Sequence, residues 1–176
     1  MPKVRHELLV VDGYNVIRAT DRYAHLIDEG DAAPFMRARE ALLSDVAAFA
    51  QGSYDPVVVF DGAGNLSPDR PNLNSGSVRV IFSRTGQDAD EVIEQLAVEA
   101  RHQGRDTTVA TSDNTVRATI GGVPVKSISS SLIAHEFTLV DHDVATAAAD
   151  RSHHHITLAD RLSPEMRAKL DGLRRG

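Results

Sequence analysis

Four acidic stretches, far apart along this 176-residue chain, contain the residue types best suited to catalysis. Each one follows an apolar run directly or nearly so, or opens a helix-like segment. The stretches are Asp12, Asp61, Asp88-Ala89-Asp90-Glu91 and Asp113. In open α/β sheets, ligands bind beyond the carboxyl ends of the strands, so we expect these acids to share one edge of a sheet.

Carboxylates that converge in this way repel one another unless a proton or a cation offsets their charge. A divalent cation does so, because Mg²⁺ prefers oxygen ligands and is often held by one or two carboxylates together with substrate phosphate. Such an ion orients an attacking water, lowers its pKa and offsets charge on a phosphodiester. The four stretches therefore predict a metal centre that acts on phosphate esters.

The elements that must position these acids alternate between strands and helices. Buried strands are predicted at residues 8–11, 56–60, 78–82 and 107–111, with helices over 33–51 and 88–103. Further predictions are a short helix from 114 to about 120, an edge-like strand at 123–126, and a helix over 129–139 with Leu132, Ile133 and Phe137 inward. Such alternation favours a mostly parallel sheet covered on both faces.

The remaining segments of this region are predicted as irregular. Tyr14 and Asn15 are expected in the loop after the first strand, and residues 16–32 are mixed or partly helical. Residues 62–77, rich in Gly, Asn, Ser and Pro, predict one long loop. Arg79 is expected at the edge of the sheet.

Each acid also has an ordinary structural explanation. Asp12 could cap the next helix or form an Asx turn. Asp88 and Glu91 have capping-box spacing, and we assign Asp88 to capping, whereas Asp90 lies where a helix dipole favours a carboxylate. Asp61 could simply start the loop that follows it, and Asp113 could cap the next helix. Capping does not require all four stretches to share one edge, so their joint occurrence favours a site.

Other polar residues near the same strand ends could assist. Asn15 can bind a carboxylate or a phosphate oxygen without adding charge, or occupy a turn. Ser112 could bind phosphate or cap a helix. The loop 62–77 and three cations are candidate contacts to phosphate groups of a substrate backbone: Arg84, Arg117 and Lys126.

The composition of the chain excludes several kinds of site and several classes of protein. The chain has no Cys, which excludes disulfides, thiolate metal sites and Cys nucleophiles and fits a reducing cytoplasm. No apolar run is as long as a membrane span, and the N-terminus leads straight into the first strand without a signal peptide. The net charge of −6 argues against a generic nucleic-acid binder and is compatible with an acidic site that holds a cation.

The length favours one main domain, over residues 1–140, followed by a polar segment and a C-terminal helix over 141–176 that pack on it or extend it. The last 16 residues hold five Lys or Arg against two acids, which suits either phosphate contact or a solvated helix. The run His153-His154-His155 is interpreted as a surface feature, because consecutive side chains do not converge on one ion.

Four motifs carry a resemblance to a known family. In order and spacing they resemble the YacP-like branch of the NYN domains, which belong with the PIN-like ribonucleases. The resemblance spans roughly residues 7–140. The motifs are Leu9-Val10-Val11-Asp12-Gly13-Tyr14-Asn15, Val58-Val59-Phe60-Asp61, Asp88-Ala89-Asp90-Glu91 and Thr111-Ser112-Asp113.

The resemblance implies a three-layer α/β/α sandwich and a metal-dependent endoribonuclease in a bacterial or plastid setting. By position, Asp12, Asp90 and Asp113 match the core acids, which would hold one or two Mg²⁺ or Mn²⁺ ions, with Asn15 and Asp61 as supporting members. RNA is the implied partner. One branch of the family acts on messenger RNA at the ribosome, and that setting stays open for this chain.

Two other interpretations of the same fold remain. One is an RNA- or ribosome-binding module without catalysis, in which the acids persist as caps. The other is a small-molecule binding protein that uses the same crevice. A membrane partner is not expected, and the sequence leaves the oligomeric state open.

Overall fold

A computed structural model describes residues 6–62, 72–112, 119–120 and 122–154, and its centre is a six-stranded sheet. Its strands are β1 (Glu7–Asp12), β2 (Tyr54–Phe60), β3 (Asn72–Ser75), β4 (Val78–Phe82), β5 (Thr107–Thr111) and β8 (Lys126–Ser129). Between β5 and β8, the strands β6 (Thr119–Ile120) and β7 (Val123–Pro124) form a separate short hairpin. Their order is β3-β4-β2-β1-β5-β8. Five strands run parallel, and β3 pairs antiparallel with β4 at one edge.

Helices cover both faces of this sheet. They are α1 (Gly13–Arg18), α2 (Met36–Ala50), α3 (Ala89–His102) and α4 (Ser130–His154), with a 3₁₀ helix over Asp21–Leu26. On β1, Leu9 and Val11 pack with α1, α2 and the first turns of α4, whereas Leu8 and Val10 pack with α3. Successive residues of a strand point to opposite faces, so an unbroken apolar run serves both layers. This is the predicted α/β fold with a mostly parallel sheet.

The register of the parallel strands brings their carboxyl ends to one edge. Asp12 of β1 lies opposite Val59, next to the last residue of β2. On the other side of β1, Val11 lies opposite Ala110, one residue before β5 ends. The residues that follow β1, β2 and β5 therefore start from the same edge of the sheet, as the sequence predicted.

The apolar runs and the strongest helical stripe were predicted correctly. Strands occupy all four predicted segments, and α3 spans the predicted helix to within a residue at each end. Gly52 and Gly104, which directly follow the predicted helices over 33–51 and 88–103, have φ angles of 77° and 66°. Those values lie in the left-handed region that glycine tolerates, which explains why each helix stops there.

Several predictions around the first half of the sheet were wrong. Tyr14 and Asn15 lie in α1 rather than in a loop, because the helix begins directly after Asp12. The end of the predicted loop 62–77 forms β3, which the turn at Gly76 (φ 60°) returns onto β4. Arg79 therefore lies on an inner strand rather than at the sheet edge.

The second half of the sheet also differs from the sequence prediction. Residues 119–120 form β6 of the small hairpin instead of ending a helix. The predicted strand at 123–126 is divided between β7 and β8, and β8 is the edge strand beside β5. In α4, Ile133 and Phe137 are buried as predicted, but Leu132 is 50% exposed. Leu132 directly precedes Ile133, so it faces away from the stripe that packs on the sheet.

The chain divides into two compact units, Met1–Thr138 and Leu139–Gly176. The first unit contains the whole sheet. In the second, the structure describes residues 139–154, which are helical. The predicted C-terminal helix and the side chains of His153 to His155 lie outside the described residues, and the predicted domain boundary at residue 140 stays a prediction. None of the described helices combines the length and apolar character needed to cross a membrane.

Candidate active site

A cavity of about 510 Å³ lies at the carboxyl edge of the parallel strands. Its walls include an amide and four carboxylates that come from three separate parts of the sequence: Asn15, Asp12, Asp61, Asp88 and Asp90. The strand register accounts for the convergence of Asp12 and Asp61, and the first turn of α3 adds the other two acids. The cavity therefore joins three of the four acidic stretches that the sequence singled out.

Asp12 is the most buried acid of the site, at 6% exposure. It ends β1 and caps α1, and its Oδ1 accepts a hydrogen bond of 3.3 Å from the backbone amide of Asn15. Its Oδ2 accepts a second bond, of 2.5 Å, from Asn15 Nδ2. Burial raises the pKa of Asp12 and the Asp90 charge adds to that rise, while the Asn15 bonds and Arg18 oppose it. Asp12 thus caps a helix and also faces the cavity.

A close backbone approach explains the glycine after Asp12. A Cβ atom built on Gly13 would lie 2.2 Å from Cε1 of Phe60, so the ring occupies the space a side chain would need. Phe60 is fully buried at the end of β2. Gly13 therefore lets α1 start immediately beside β2, which keeps Asp12 at the edge of the sheet.

The second Asp-Gly pair is fixed in a similar way. The amide of Gly62 donates a hydrogen bond of 2.9 Å to Ser83 Oγ, just beyond the end of β4. A Cβ on Gly62 would lie 1.9 Å from the carbonyl oxygen of Ser83. Because the backbone of Gly62 docks so closely on residue 83, the half-buried Asp61 is placed on the cavity wall.

The two acids at the start of α3 have different surroundings. Asp88 is the N-cap, and its Oδ1 accepts a hydrogen bond of 2.8 Å from the amide of Glu91, as the capping-box spacing predicted. Asp90 lies in the first turn and is exposed. A smaller hollow of about 110 Å³ continues from Asp88, Asp90 and Glu91 to Thr111 at the end of β5. Asp90 therefore borders both hollows.

Two predicted site residues, Asp113 and Arg117, lie outside the described residues. Ser112 is half-buried just after β5 and is not part of the wall of the larger cavity. Within the described ranges, no three His, Asp or Glu side chains lie close enough together to hold a metal ion. The predicted triad of Asp12, Asp90 and Asp113 therefore stays a prediction, of which the structure places two members on one cavity.

The chemistry of the donors suits a hard cation. The polar groups that the acidic wall offers are carboxylate and amide oxygens, which are the ligands that Mg²⁺ and Mn²⁺ prefer. One or two protein carboxylates are often enough for Mg²⁺ when a substrate phosphate completes the coordination. The described residues thus fit such an ion in the type of their ligands.

The same cavity is also lined by arginine and aromatic side chains that sequence reasoning did not assign to the site. Tyr14 and Phe35 meet edge to face, with ring centroids 5.3 Å apart. The guanidinium of Arg18 lies 5.5 Å from the Tyr14 centroid and 5.6 Å from that of Phe35. Arg39 of α2 donates a hydrogen bond of 3.0 Å to the Tyr14 hydroxyl. All four side chains line the cavity.

Of the cations predicted to contact RNA, Arg84 and Lys126 can be located. Arg84 is exposed and follows the end of β4, outside the cavity wall. Lys126 begins β8, and its Nζ lies 3.0 Å from Oε1 of Glu7, the first residue of β1. That pair is at the amino edge of the parallel strands, opposite the cavity, because both residues start their strands. Lys126 therefore lies away from this cavity, and its contact with RNA stays a prediction.

Comparison with known proteins places the chain in a family. The sequence model of the YacP-like NYN domain matches residues 9–175. The chain belongs to this YacP-like NYN family, which is nuclease-like in general character. The match extends well past residue 140, so it also includes the segment for which the sequence motifs gave no assignment.

Individual relatives agree with the family match. The protein YacP of Bacillus subtilis (strain 168), described as uncharacterized, is 32% identical over 116 residues, which is 66% of this chain and 66% of that protein. The crystal structure of Rae1 (YacP) from Bacillus subtilis superimposes with a TM-score of 0.69 and 26% identity, over 97% of this chain and 95% of the other. A crystal structure of a point mutant of that protein gives a TM-score of 0.67 with 26% identity, over 95% and 99% of the two chains.

Proposed function

We propose that this chain is a metal-dependent endoribonuclease that hydrolyses phosphodiester bonds in single-stranded or unpaired RNA. Asp12, Asp90 and Asp113 would hold one or two Mg²⁺ or Mn²⁺ ions, and Asn15 and Asp61 would order the groups around them. When bound, the metal supplies Lewis acidity, which lowers the pKa of water and offsets phosphate charge. The nuclease-like character of the YacP-like NYN family supports the proposal.

The observation that carries this proposal is that Asp12 and Asp90 line the same cavity. They are 78 positions apart, one at the end of β1 and one in the first turn of α3, yet they line one cavity. Asp90 is close enough for its charge to raise the pKa of Asp12. Capping explains Asp12 and Asp88 but not Asp90, since Asp88 already caps α3, and the helix dipole favours a carboxylate at position 90 without requiring it to line the cavity.

Neighbouring residues of the site would hold its acids in position. Asn15 donates to both oxygens of Asp12, which fixes the carboxylate and favours its ionised form. Gly62 docks on Ser83 and holds Asp61 at the wall. These groups act by orientation, and orientation of ligating side chains commonly changes metal affinity or activity by about 10–100-fold.

The shape and chemistry of the cavity support a single strand as substrate. Proteins that bind single strands combine cations for the backbone with aromatic rings that can stack on bases. The wall formed by Tyr14, Phe35, Arg18 and Arg39 offers both kinds of group next to the acids. A base in a duplex is already stacked, so this wall suits unpaired nucleotides better.

The test is a cleavage assay with purified protein on structured and unstructured RNA, with Mg²⁺, Mn²⁺ or EDTA. We expect cleavage of unpaired regions that requires a divalent ion and is lost in Asp90→Asn. Glu99→Gln, which neutralises an exposed carboxylate further along α3, is the matched control and should cleave like the wild type. Cleavage that survives both EDTA and Asp90→Asn would contradict the proposal.

Analysis of the product ends tests the chemistry separately. Attack by water with departure of the 3′ oxygen leaves a 5′-phosphate and a 3′-hydroxyl. A 2′,3′-cyclic phosphate would instead show that the neighbouring 2′-hydroxyl is the nucleophile, and would overturn the proposed mechanism. End-labelling and mass spectrometry of the fragments distinguish the two.

The second candidate is an RNA- or ribosome-binding module without catalysis. The observation that favours it is that Asp12 and Asp88 both serve as helix caps, which would retain them without chemistry. RNA binding without cleavage under every metal tested would support this candidate. Cleavage restricted to RNA that is being translated would instead indicate that the nuclease works at the ribosome.

A further inference from the structure

Arg39, which lines the cavity, differs from the cations that form ion pairs elsewhere in the described part of the chain. Within the described ranges, ion pairs join Arg22 to Asp45, Arg105 to Asp55 and Lys126 to Glu7. Arg39 has no ion pair in those ranges, although four carboxylates line the same cavity. Its contacts are a neutral hydroxyl and the faces of aromatic rings.

Those contacts hold the guanidinium of Arg39 in a defined position. It lies 5.6 Å from the ring centroid of Phe82 and 6.0 Å from that of Phe60. The two rings stack on each other at 5.5 Å, and both are buried. One of its nitrogens donates to Tyr14, which itself packs against Phe60 at 5.1 Å.

A guanidinium held in this way is prepared for an anion. It carries five N–H donors in a planar fork that matches carboxylate and phosphate, and one donor is used by Tyr14. The positioning contacts fix the side chain before a ligand arrives, so less conformational entropy is lost on binding. The ring faces do not neutralise the positive charge, as a carboxylate would.

From these contacts we propose that Arg39 is the residue that binds a phosphate group of the nucleic-acid strand in this cavity. Tyr14 acts as its positioning residue. The proposal rests on the proposed function for the class of ligand, and it adds the residue that retains the strand. Its positive charge also reduces the repulsion between a polyanion and the four acids that line the cavity.

Phosphate contacts have a measurable signature in salt dependence. Loss of one such contact weakens binding about equally for all sequences and reduces the slope of log affinity against log salt by about 1. The experiment measures binding of a labelled 12-nucleotide single strand to the full chain by fluorescence anisotropy, in EDTA so that no cleavage occurs. RNA and DNA strands of the same sequence separate phosphate contacts from contacts to the 2′-hydroxyl.

We expect Arg39→Ala to weaken binding about 10-fold and to lower the salt slope by about 1, for RNA and DNA alike. Arg37→Ala removes an exposed arginine from the same turn of α2, outside the cavity wall, and is the matched control. It should bind like the wild type. Arg39→Lys should keep the salt slope but lose affinity, because lysine keeps the charge without the planar fork.

Tyr14→Phe provides a variant that removes a single oxygen and leaves the packing in place. It should weaken binding about 3-fold in the wild-type background and have no further effect once Arg39 is alanine, because the hydroxyl acts through Arg39. Independent effects of the two substitutions would overturn the positioning role. If Arg39→Ala alters the stability of the fold, Tyr14→Phe and Arg39→Lys in the wild-type background still test the proposal, and wild-type affinity in both would overturn it.

The outcomes separate this proposal from the nuclease activity. If the wild type cleaves RNA while Arg39→Ala keeps wild-type affinity and slope, the phosphate role is overturned and the nuclease stands. If the wild type cleaves nothing with any divalent ion, yet Arg39→Ala loses affinity as expected, the nuclease is overturned and the phosphate role stands. A wild type that binds neither strand in EDTA overturns the phosphate role, and it overturns both proposals only if it also cleaves nothing with any divalent ion.

Discussion

Asn15 donates hydrogen bonds to both carboxylate oxygens of Asp12, one from its backbone amide and one from its side chain. The first bond comes from helix capping, and any residue at position 15 except proline could make it. The second needs an amide side chain of this length. At the most buried acid of the site, one bond of the pair therefore caps a helix, and we propose that the other orients the carboxylate.

Asn15→Ala tests the second bond. It removes the side-chain donor and leaves the backbone bond, so the pKa of Asp12 should rise further, since the Asn15 bonds hold it down against burial. We expect cleavage to fall at least about 10-fold, with the acidic limb of the pH–rate profile moved to higher pH. Gln95→Ala, which removes an exposed amide from α3, serves as control. An unmoved acidic limb would count against this assignment.

The ionised carboxylate of Asp12 should lower the free energy of unfolding at neutral pH. Burial raises its pKa above the ordinary value of 3.8, so the folded chain binds this proton more tightly than the unfolded chain. The stability that this proton contributes is present below 3.8 and is lost as the pH rises through the folded pKa.

Asp12→Asn removes the titrating carboxyl group, so comparing its free energy of unfolding with that of the wild type should reveal the raised pKa of Asp12. In EDTA, the free energy of unfolding of Asp12→Asn minus that of the wild type should be more positive at about pH 7.5 than at about pH 3.5. Urea unfolding at the two values measures the difference, and titrations common to both proteins cancel. A difference that does not change with pH, or that falls as the pH rises, would contradict the raised pKa.

Gly62→Ala should disturb the site through the backbone. The new Cβ would meet the Ser83 carbonyl, so the chain after Asp61 must move. We expect a loss of about 1–3 kcal/mol in stability, as for other overpacked positions, together with reduced cleavage. Gly30→Ala is the matched control, because its nearest neighbour is a flexible side-chain oxygen at 3.4 Å. Equal stability of the two variants in thermal unfolding would refute the close approach.

The contact between the 3₁₀ helix and α2 depends on Asp45. Its carboxylate accepts hydrogen bonds from the buried Tyr23 hydroxyl, at 2.7 Å, and from Arg22, at 2.8 and 2.9 Å. Asp45→Ala leaves the Tyr23 hydroxyl without this acceptor and should cost about 2–4 kcal/mol. Glu40→Ala, at an exposed position of α2, should stay within about 0.5 kcal/mol of the wild type in urea unfolding.

The parts of the fold and site that follow from local sequence were predictable. Asp12 and Asp61 directly follow runs of apolar residues, and the parallel register then brings them to one edge without further information. Asp88 and Glu91 have a spacing whose capping geometry is a property of any helix start. The family was likewise evident from motifs that each lie within seven residues.

The arginine and aromatic wall was not predictable from the sequence. Arg39 and Tyr14 are 25 positions apart and meet only because α1 and α2 pack on the same face of the sheet. No periodic pattern marks such a pair, and Arg39 looks like any charged residue in the first turn of a helix. The distance of Lys126 from the cavity was not predictable either, because the predicted strand at 123–126 had the wrong boundaries and no neighbouring strand was assigned to it.

The two outermost strands of the sheet, β3 and β8, are only four residues long each. Unpaired N–H and C=O groups along an outer strand can recruit a strand from another molecule, which is a common route to aggregation. Here one border is a short antiparallel return of the chain, and the other begins with an exposed lysine that also pairs with Glu7. Strand pairing between two chains is therefore disfavoured at both borders, since the unpaired backbone groups of the sheet lie on these two short strands.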